Sequence, residues 1–139
     1  MAEVVSSYRW PEGLPPGCPP PDAQPAAIDA YRLVSKDPPS DTDFVRPIDK
    51  PHEPAETAEE ECSLYALSVF TDPADVNLAQ QFIPGFKKKL VALGHIEPEH
   101  GVLRQIPLSL KDRPILHSHR DWWVTHGFDA KTTFSVVTL

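Results

Sequence analysis

Apolar and polar residues alternate in several short stretches of the chain. In Tyr31-Arg32-Leu33-Val34 the period of two places Tyr31 and Leu33 on one face and Arg32 and Val34 on the other, the pattern of a strand. Between residues 63 and 70, Leu64, Ala66, Ser68 and Phe70 share one face while Tyr65, Leu67 and Val69 share the other. Both faces are largely apolar, as expected of a central strand. Residues 90–96 and 102–106 read as two more strands, joined through Glu97-Pro98-Glu99-His100-Gly101 in the manner of a hairpin. Residues 132–139 are rich in β-branched side chains and predict a final strand. Residues 115–123 form too brief a run for periodicity to separate strand from helix.

One helix is well marked. In Thr71-Asp72-Pro73-Ala74-Asp75, Asp72 can accept from a free backbone N–H, Pro73 suits the first helical position, and Asp75 favours the positive helix end. Ala74, Leu78 and Phe82, with Ala79 beside them, predict a stripe facing the sheet, and Pro84-Gly85 ends the helix. Residues 26–30 could add one helical turn. The sum is an α+β fold: a small mixed or mainly antiparallel sheet of about five strands with one clear helix.

The 17 prolines modify this picture, because many fall early in the chain. The segment from Pro11 to Pro21 cannot hold a helix or a central strand. Residues 1–25 are therefore expected as a Pro-rich, loosely ordered arm, and residues 26–139 as one globular domain. On this reading, removal of the arm leaves a folded domain, with Trp10 as the residue most apt to dock. Residues 35–61 read as a long irregular loop with Phe44, Val45 and Ile48 as anchors, and Phe44 and Ile48 should seat it against the Trp122-Trp123 region.

Composition narrows the function classes. A formal charge of −7 opposes non-specific nucleic-acid binding, and the short run Lys87-Lys88-Lys89 is the only basic candidate. No stretch approaches a membrane span or a signal peptide, so the expected location is cytoplasmic. Two cysteines, Cys18 and Cys62, make neither a disulfide framework nor a metal site, and are read as free thiols.

The densest polar and aromatic cluster runs from Leu116 to His126. If its start is extended, His117 and His119 point the same way and could share a divalent metal, with His126 as a third ligand and Asp121, Glu97 or His100 completing the set. The alternative is a packing groove lined by His117, His119 and Trp122, without metal. Imidazole also suits acid/base catalysis, but the nearness of Ser118, His119 and Asp121 in sequence does not establish a triad. Gly85, Gly94 and Gly101 lack the spacing of a phosphate loop.

Tyr31-Arg32-Leu33 and Leu67-Ser68-Val69-Phe70 resemble the first two signature elements of the Arg/Ser/Glu class of ADP-ribosyltransferases. The resemblance implies that Arg32 and Ser68 help hold NAD. It departs from the family in lacking the full Ser-Thr-Ser element and a Glu-x-Glu before the last strand; Glu97-Pro98-Glu99 has the spacing but comes too early. The sequence does not decide whether the chain is an enzyme. Its leading reading is a domain acting through protein or ligand contact, with the Pro-rich arm as a docking element for a partner. NAD-dependent ADP-ribosyl transfer and a His-ligated metal enzyme are the alternatives.

Overall fold

Strands far apart in sequence pair to set the architecture. The computed structural model describes residues 8–110 and 115–139, and its strands are β1 (Ile28–Val34), β2 (Leu67–Phe70), β3 (Leu90–Ile96), β4 (Gly101–Gln105), β5 (Leu108–Ser109), β6 (Ile115–Leu116), β7 (His119–Val124) and β8 (Phe134–Val137). Six of them form one sheet in the order β4-β7-β2-β1-β3-β8, while β5 and β6 pair separately. Every pairing is antiparallel. Among the described residues two α-helices accompany them, α1 (Ala58–Ser63) and the longer α2 (Pro73–Phe82).

The alternation in β1 works as its residues predict. Val34 is buried on one face, and Tyr31 and Leu33 pack on the other beside α2. β2 is a central strand, but it starts at Leu67, because residues 58–63 coil into α1, capped by Thr57 accepting from the Glu60 N–H. Asp72 caps α2 by accepting from the Ala74 N–H at 2.9 Å, with Pro73 opening the helix. The buried stripe of α2 is Val76 and Ala79; Ala74 is exposed and Phe82 is 39% exposed. Of the expected stripe, Ala79 is buried and Leu78 packs against the core, whereas Ala74 and Phe82 lie at the rim and Val76 takes the buried place instead.

Two expected elements are corrected. Residues 26–30 enter β1 as extended chain, since the whole of Ile28–Val34 pairs with β3. The segment 97–101 is not a hairpin turn: β3 pairs with β1 and β8, whereas β4 pairs with β7 across the sheet. A 3-10 turn, Pro98–His100, carries the chain over to that edge. Gly101 is required there, because a Cβ at this position would sit 2.0 Å from the Trp123 carbonyl oxygen.

The sheet is covered differently on its two faces. β7 sends Trp122 and Trp123 to opposite sides, both almost fully buried. On the Trp123 side, α2 covers Phe70, Val91 and Leu116, and the N-terminal residues cover Val102 and Trp123. On the Trp122 side the cover is irregular chain: Phe44 from the 35–61 loop, and Phe128 and Ala130 after β7.

Residues 8–25 lie against the domain. Ala23 is buried, Tyr8 and Trp10 pack beside Trp123, and Gln24 bridges to Leu103 through two backbone hydrogen bonds of 2.8 Å. Arg104 on β4 adds ion pairs to Asp22 at 3.3 Å and to Glu59 at 3.5 Å. The expectation of free thiols is overturned. Cys18 and Cys62 form a disulfide with a Cα–Cα distance of 5.6 Å. Spacing alone could not show this, because the two meet only when the Pro-rich segment folds back onto α1. Closing a loop across 44 residues should contribute roughly 4 kcal/mol through the unfolded chain. We expect Cys18→Ser with Cys62→Ser to lower stability by about 2–4 kcal/mol in urea unfolding, and reductant to have the same effect on the native chain. Unchanged midpoints in both cases would show that the cross-link is not made.

Candidate functional site

β1 and β2 are neighbours, yet they share one registered pair, Tyr31↔Phe70. Beyond it the strands separate, and the side chain of Arg32 occupies the split. Its Nη1 donates to the Ser68 carbonyl at 2.7 Å, while Nε and Nη2 donate to the Asp43 carbonyl at 3.0 and 2.9 Å. The guanidinium also lies 5.3 Å from the centre of the Phe44 ring. Burial pushes the Arg32 pKa down to about 10, with the nearby Asp43 charge acting in the opposite sense. Arg32 therefore stays charged at neutral pH and ties the 35–61 loop to both strands.

Asp43 secures the start of the same loop. Its carboxylate accepts from the backbone N–H groups of Ser35 at 2.6 Å, Lys36 at 3.3 Å and Ser40 at 3.0 Å. Burial pushes this carboxyl up, but those N–H donors and the charge of Lys89 more than offset it, leaving its pKa below the ordinary value.

The ridge that these contacts hold, residues 41–50, divides the space beside the sheet in two. Val45 and Leu67 belong to both sides. One side is a cavity of about 430 Å³ over the Trp122 face, walled by Trp10, Phe44, Tyr65, Trp122 and Phe128 among others. Two buried donors on its lining residues have no partner among the described residues: Arg46 Nη1 and Trp122 Nε1. Arg46 is fixed by its Nε bond to Asp49 at 2.9 Å and by lying 5.4 Å from the Tyr65 ring centre, so Nη1 is held where it stands. The acidic rim residues Asp41 and Asp129 are paired with Lys131, each at 2.8 Å, which offsets their charge at the mouth.

The other side is a groove of about 310 Å³, whose charged lining is Arg32, Asp43, Lys50 and Lys89. Ser68 opens onto it and is exposed. The Ser68 hydroxyl lies 3.0 Å from Nε2 of His119, and Nδ1 of His119 lies 2.7 Å from the Ile106 carbonyl. A carbonyl only accepts, so Nδ1 carries the proton in the neutral ring and Nε2 accepts from Ser68. Asp121 stands directly across the strand pair from Ser68 and takes a 2.6 Å hydrogen bond from Ser63. Burial raises the Asp121 pKa, while the Ser63 hydrogen bond and the charges of His119 and Arg104 pull it down.

The residues singled out by sequence are thus only partly brought together. Arg32 and Ser68 line one groove, and His119 reaches Ser68 from behind it. His117 sits exposed in the turn between β6 and β7, not in an extended run, and so does not share a face with His119. Trp122 and His119 project to opposite faces of β7, and His126 lines the aromatic cavity. Both ring nitrogens of His119 are already engaged. Among the described residues no group of three or more His, Cys, Asp or Glu is placed to hold a metal ion. The 35–61 loop does meet the Trp122 face, through Phe44, but His117 is not part of that footprint. Arg46, Lys50 and the pairing of Ser68 with His119 carried no sequence signal, since each depends on where the loop crosses the sheet. Comparison with protein-family models, curated proteins and solved structures finds no match.

The Asp43 carboxylate makes the loop anchor testable. A carboxyl held below its unfolded pKa contributes stability that is fully present above about pH 4 and is lost as pH falls through the folded value. Asp43→Asn should lower stability by roughly 1–3 kcal/mol at pH 7 and flatten the acid limb of the stability curve. Arg32→Ala should cost roughly 2–4 kcal/mol, because the carbonyls of Asp43 and Ser68 lose their donors. Denaturation across pH 2–7 checks both, and an acid limb unchanged by Asp43→Asn would remove this anchor.

Proposed function

We propose that the chain is a binding domain for a small aromatic or apolar molecule bearing a carboxylate, held in the cavity over Trp122. The observation that carries this reading is that Arg46 and Trp122, which line one cavity, each hold a buried donor, Nη1 and Nε1, without a partner among the described residues. A buried N–H without an acceptor costs about 1–3 kcal/mol, more when it belongs to a charged group. A ligand oxygen recovers that cost, and aromatic walls supply the apolar contact. The cavity size, about 430 Å³, suits a molecule of one or two rings.

No helix among the described residues is long and apolar enough to cross a membrane. The Cys18–Cys62 cross-link favours an oxidising compartment over a reducing cytoplasm. The same cross-link tethers the segment carrying Trp10, Pro11 and Leu14, which forms one wall of the cavity.

Indole-3-acetate and naphthoate are suitable probes. On binding, the indole N–H resonance of Trp122 should move downfield in a ¹H–¹⁵N spectrum. Arg46→Met should weaken binding by about 1.5–3 kcal/mol, the range for a hydrogen bond to a charged group. The corresponding neutral amides should bind more weakly than the acids. Millimolar aromatic carboxylates that leave the Trp122 resonance in place would overturn the reading.

A further inference from the structure

The groove on the other side of the ridge holds a second arrangement, independent of the aromatic cavity. Ser68 is exposed, its hydroxyl is committed as donor to Nε2 of His119 at 3.0 Å, and the imidazole is fixed behind it. The fixing groups are the Ile106 carbonyl on Nδ1 at 2.7 Å and the Phe70 ring, packed edge-on at 5.3 Å. A nucleophile on a base that is itself oriented by a third group is the arrangement that activates a hydroxyl. The third group here is a main-chain carbonyl rather than a carboxylate. The carboxyl group of Asp121 stands on the same face of β7 as His119 and interacts with it electrostatically.

The groove also states a charge preference. Arg32, Lys50 and Lys89 face it, with Asp43 as the one carboxylate in its lining among the described residues, and that carboxylate is already engaged by three backbone N–H groups. Lys50 is held below its ordinary pKa by burial and then by the like charges of Arg32 and Lys89, a repulsion that a bound anion relieves. Leu33, Phe70, Ile83 and Phe86 supply apolar wall.

We propose that Ser68 and His119 are a nucleophile and general base that hydrolyse acyl esters carrying an anionic group, which docks among Arg32, Lys50 and Lys89. Ser68 Oγ attacks the ester carbonyl carbon while its proton passes to His119 Nε2. The bond from the carbonyl carbon to the alcohol oxygen breaks, and that oxygen takes the proton from Nε2. Water, giving its proton to Nε2, then attacks the acyl group on Ser68. The acid departs and the Ser68 hydroxyl recovers its proton.

Two probes test this on the full chain: the 4-nitrophenyl monoester of succinic acid, with 4-nitrophenyl butyrate as its uncharged counterpart, and a fluorophosphonate that labels activated serines. The native protein should hydrolyse the anionic ester faster than the neutral one and take the label at Ser68, located by peptide mass mapping. Ser68→Ala, an exposed change that leaves the sheet intact, should abolish the labelling and lower kcat/KM by about a hundredfold or more. His119→Gln should do the same where circular dichroism shows it folded. Lys50→Glu should remove the preference for the anionic ester. Equal rates in the native protein and Ser68→Ala, or label found at a residue other than Ser68, would overturn the catalytic assignment. An ester preference unmoved by Lys50→Glu would overturn the substrate class. Because Arg46→Met lies in the other cavity, failure here and failure of carboxylate binding there are separately readable.

Discussion

The guanidinium of Arg32 stands where the sheet would otherwise come apart. β1 and β2 share a single registered pair, and beyond it their main-chain groups face a gap. Arg32 reaches across from β1, satisfies the Ser68 carbonyl on β2, and at the same time receives the Asp43 carbonyl from the covering loop. A planar cation with several donors in fixed geometry can serve two pieces of backbone at once; a lysine ammonium, a point charge on a flexible stem, is not preorganised to do so. The position of the ridge at residues 41–50, and hence of both cavities, follows from this bridge together with the Asp43 carboxylate.

The cavities exist because the two faces of the sheet are closed by different kinds of chain. Against Phe70 and Val91 the cover is α2, whose regular row of side chains fits closely. Over Trp122 the cover is loop, with few apolar residues and much of its backbone committed to internal turns. Loops fill space poorly and present polar groups, so the Trp122 face keeps a pocket whose lining residues Arg46 and Trp122 hold buried N–H donors without partners among the described residues. The groove at the β1–β2 split has the same origin, an interruption in a regular ladder.

The N-terminal segment shows how a stretch with little secondary structure can still be part of the core. Prolines remove backbone donors and preset the chain direction, which lowers the entropy lost on docking. Ala23, Trp10 and Cys18 then close over Trp123 and Val102, and the cross-link to Cys62 holds the segment to α1. Its role in the described residues is structural cover, and through Trp10, Pro11 and Leu14 it shapes the cavity wall.

Local chemistry in the sequence was enough to determine the α+β class, the β1 alternation, the central position of β2, and the caps of α2. Each of these rests on residues within a few positions of one another: a period of two, an Asp-Pro start, a Pro-Gly stop. What lay beyond such local signals was decided by tertiary structure. The 97–101 connection looked like a hairpin because it is short and turn-rich, yet β4 belongs beside β7, where Val102 and Trp123 oppose one another and bury their apolar area. The cysteines were illegible for the same reason, since Cys18 and Cys62 meet only after the arm has folded. Arg32 and Ser68 could be picked out as polar groups on apolar strands, but not what they touch. That Ser68 meets His119, 51 residues away, and that Arg46 and Trp122 leave donors without acceptors among the described residues, are consequences of strand order and loop path. Contacts of that range are fixed by long-range burial and pairing, and no window along the chain contains them.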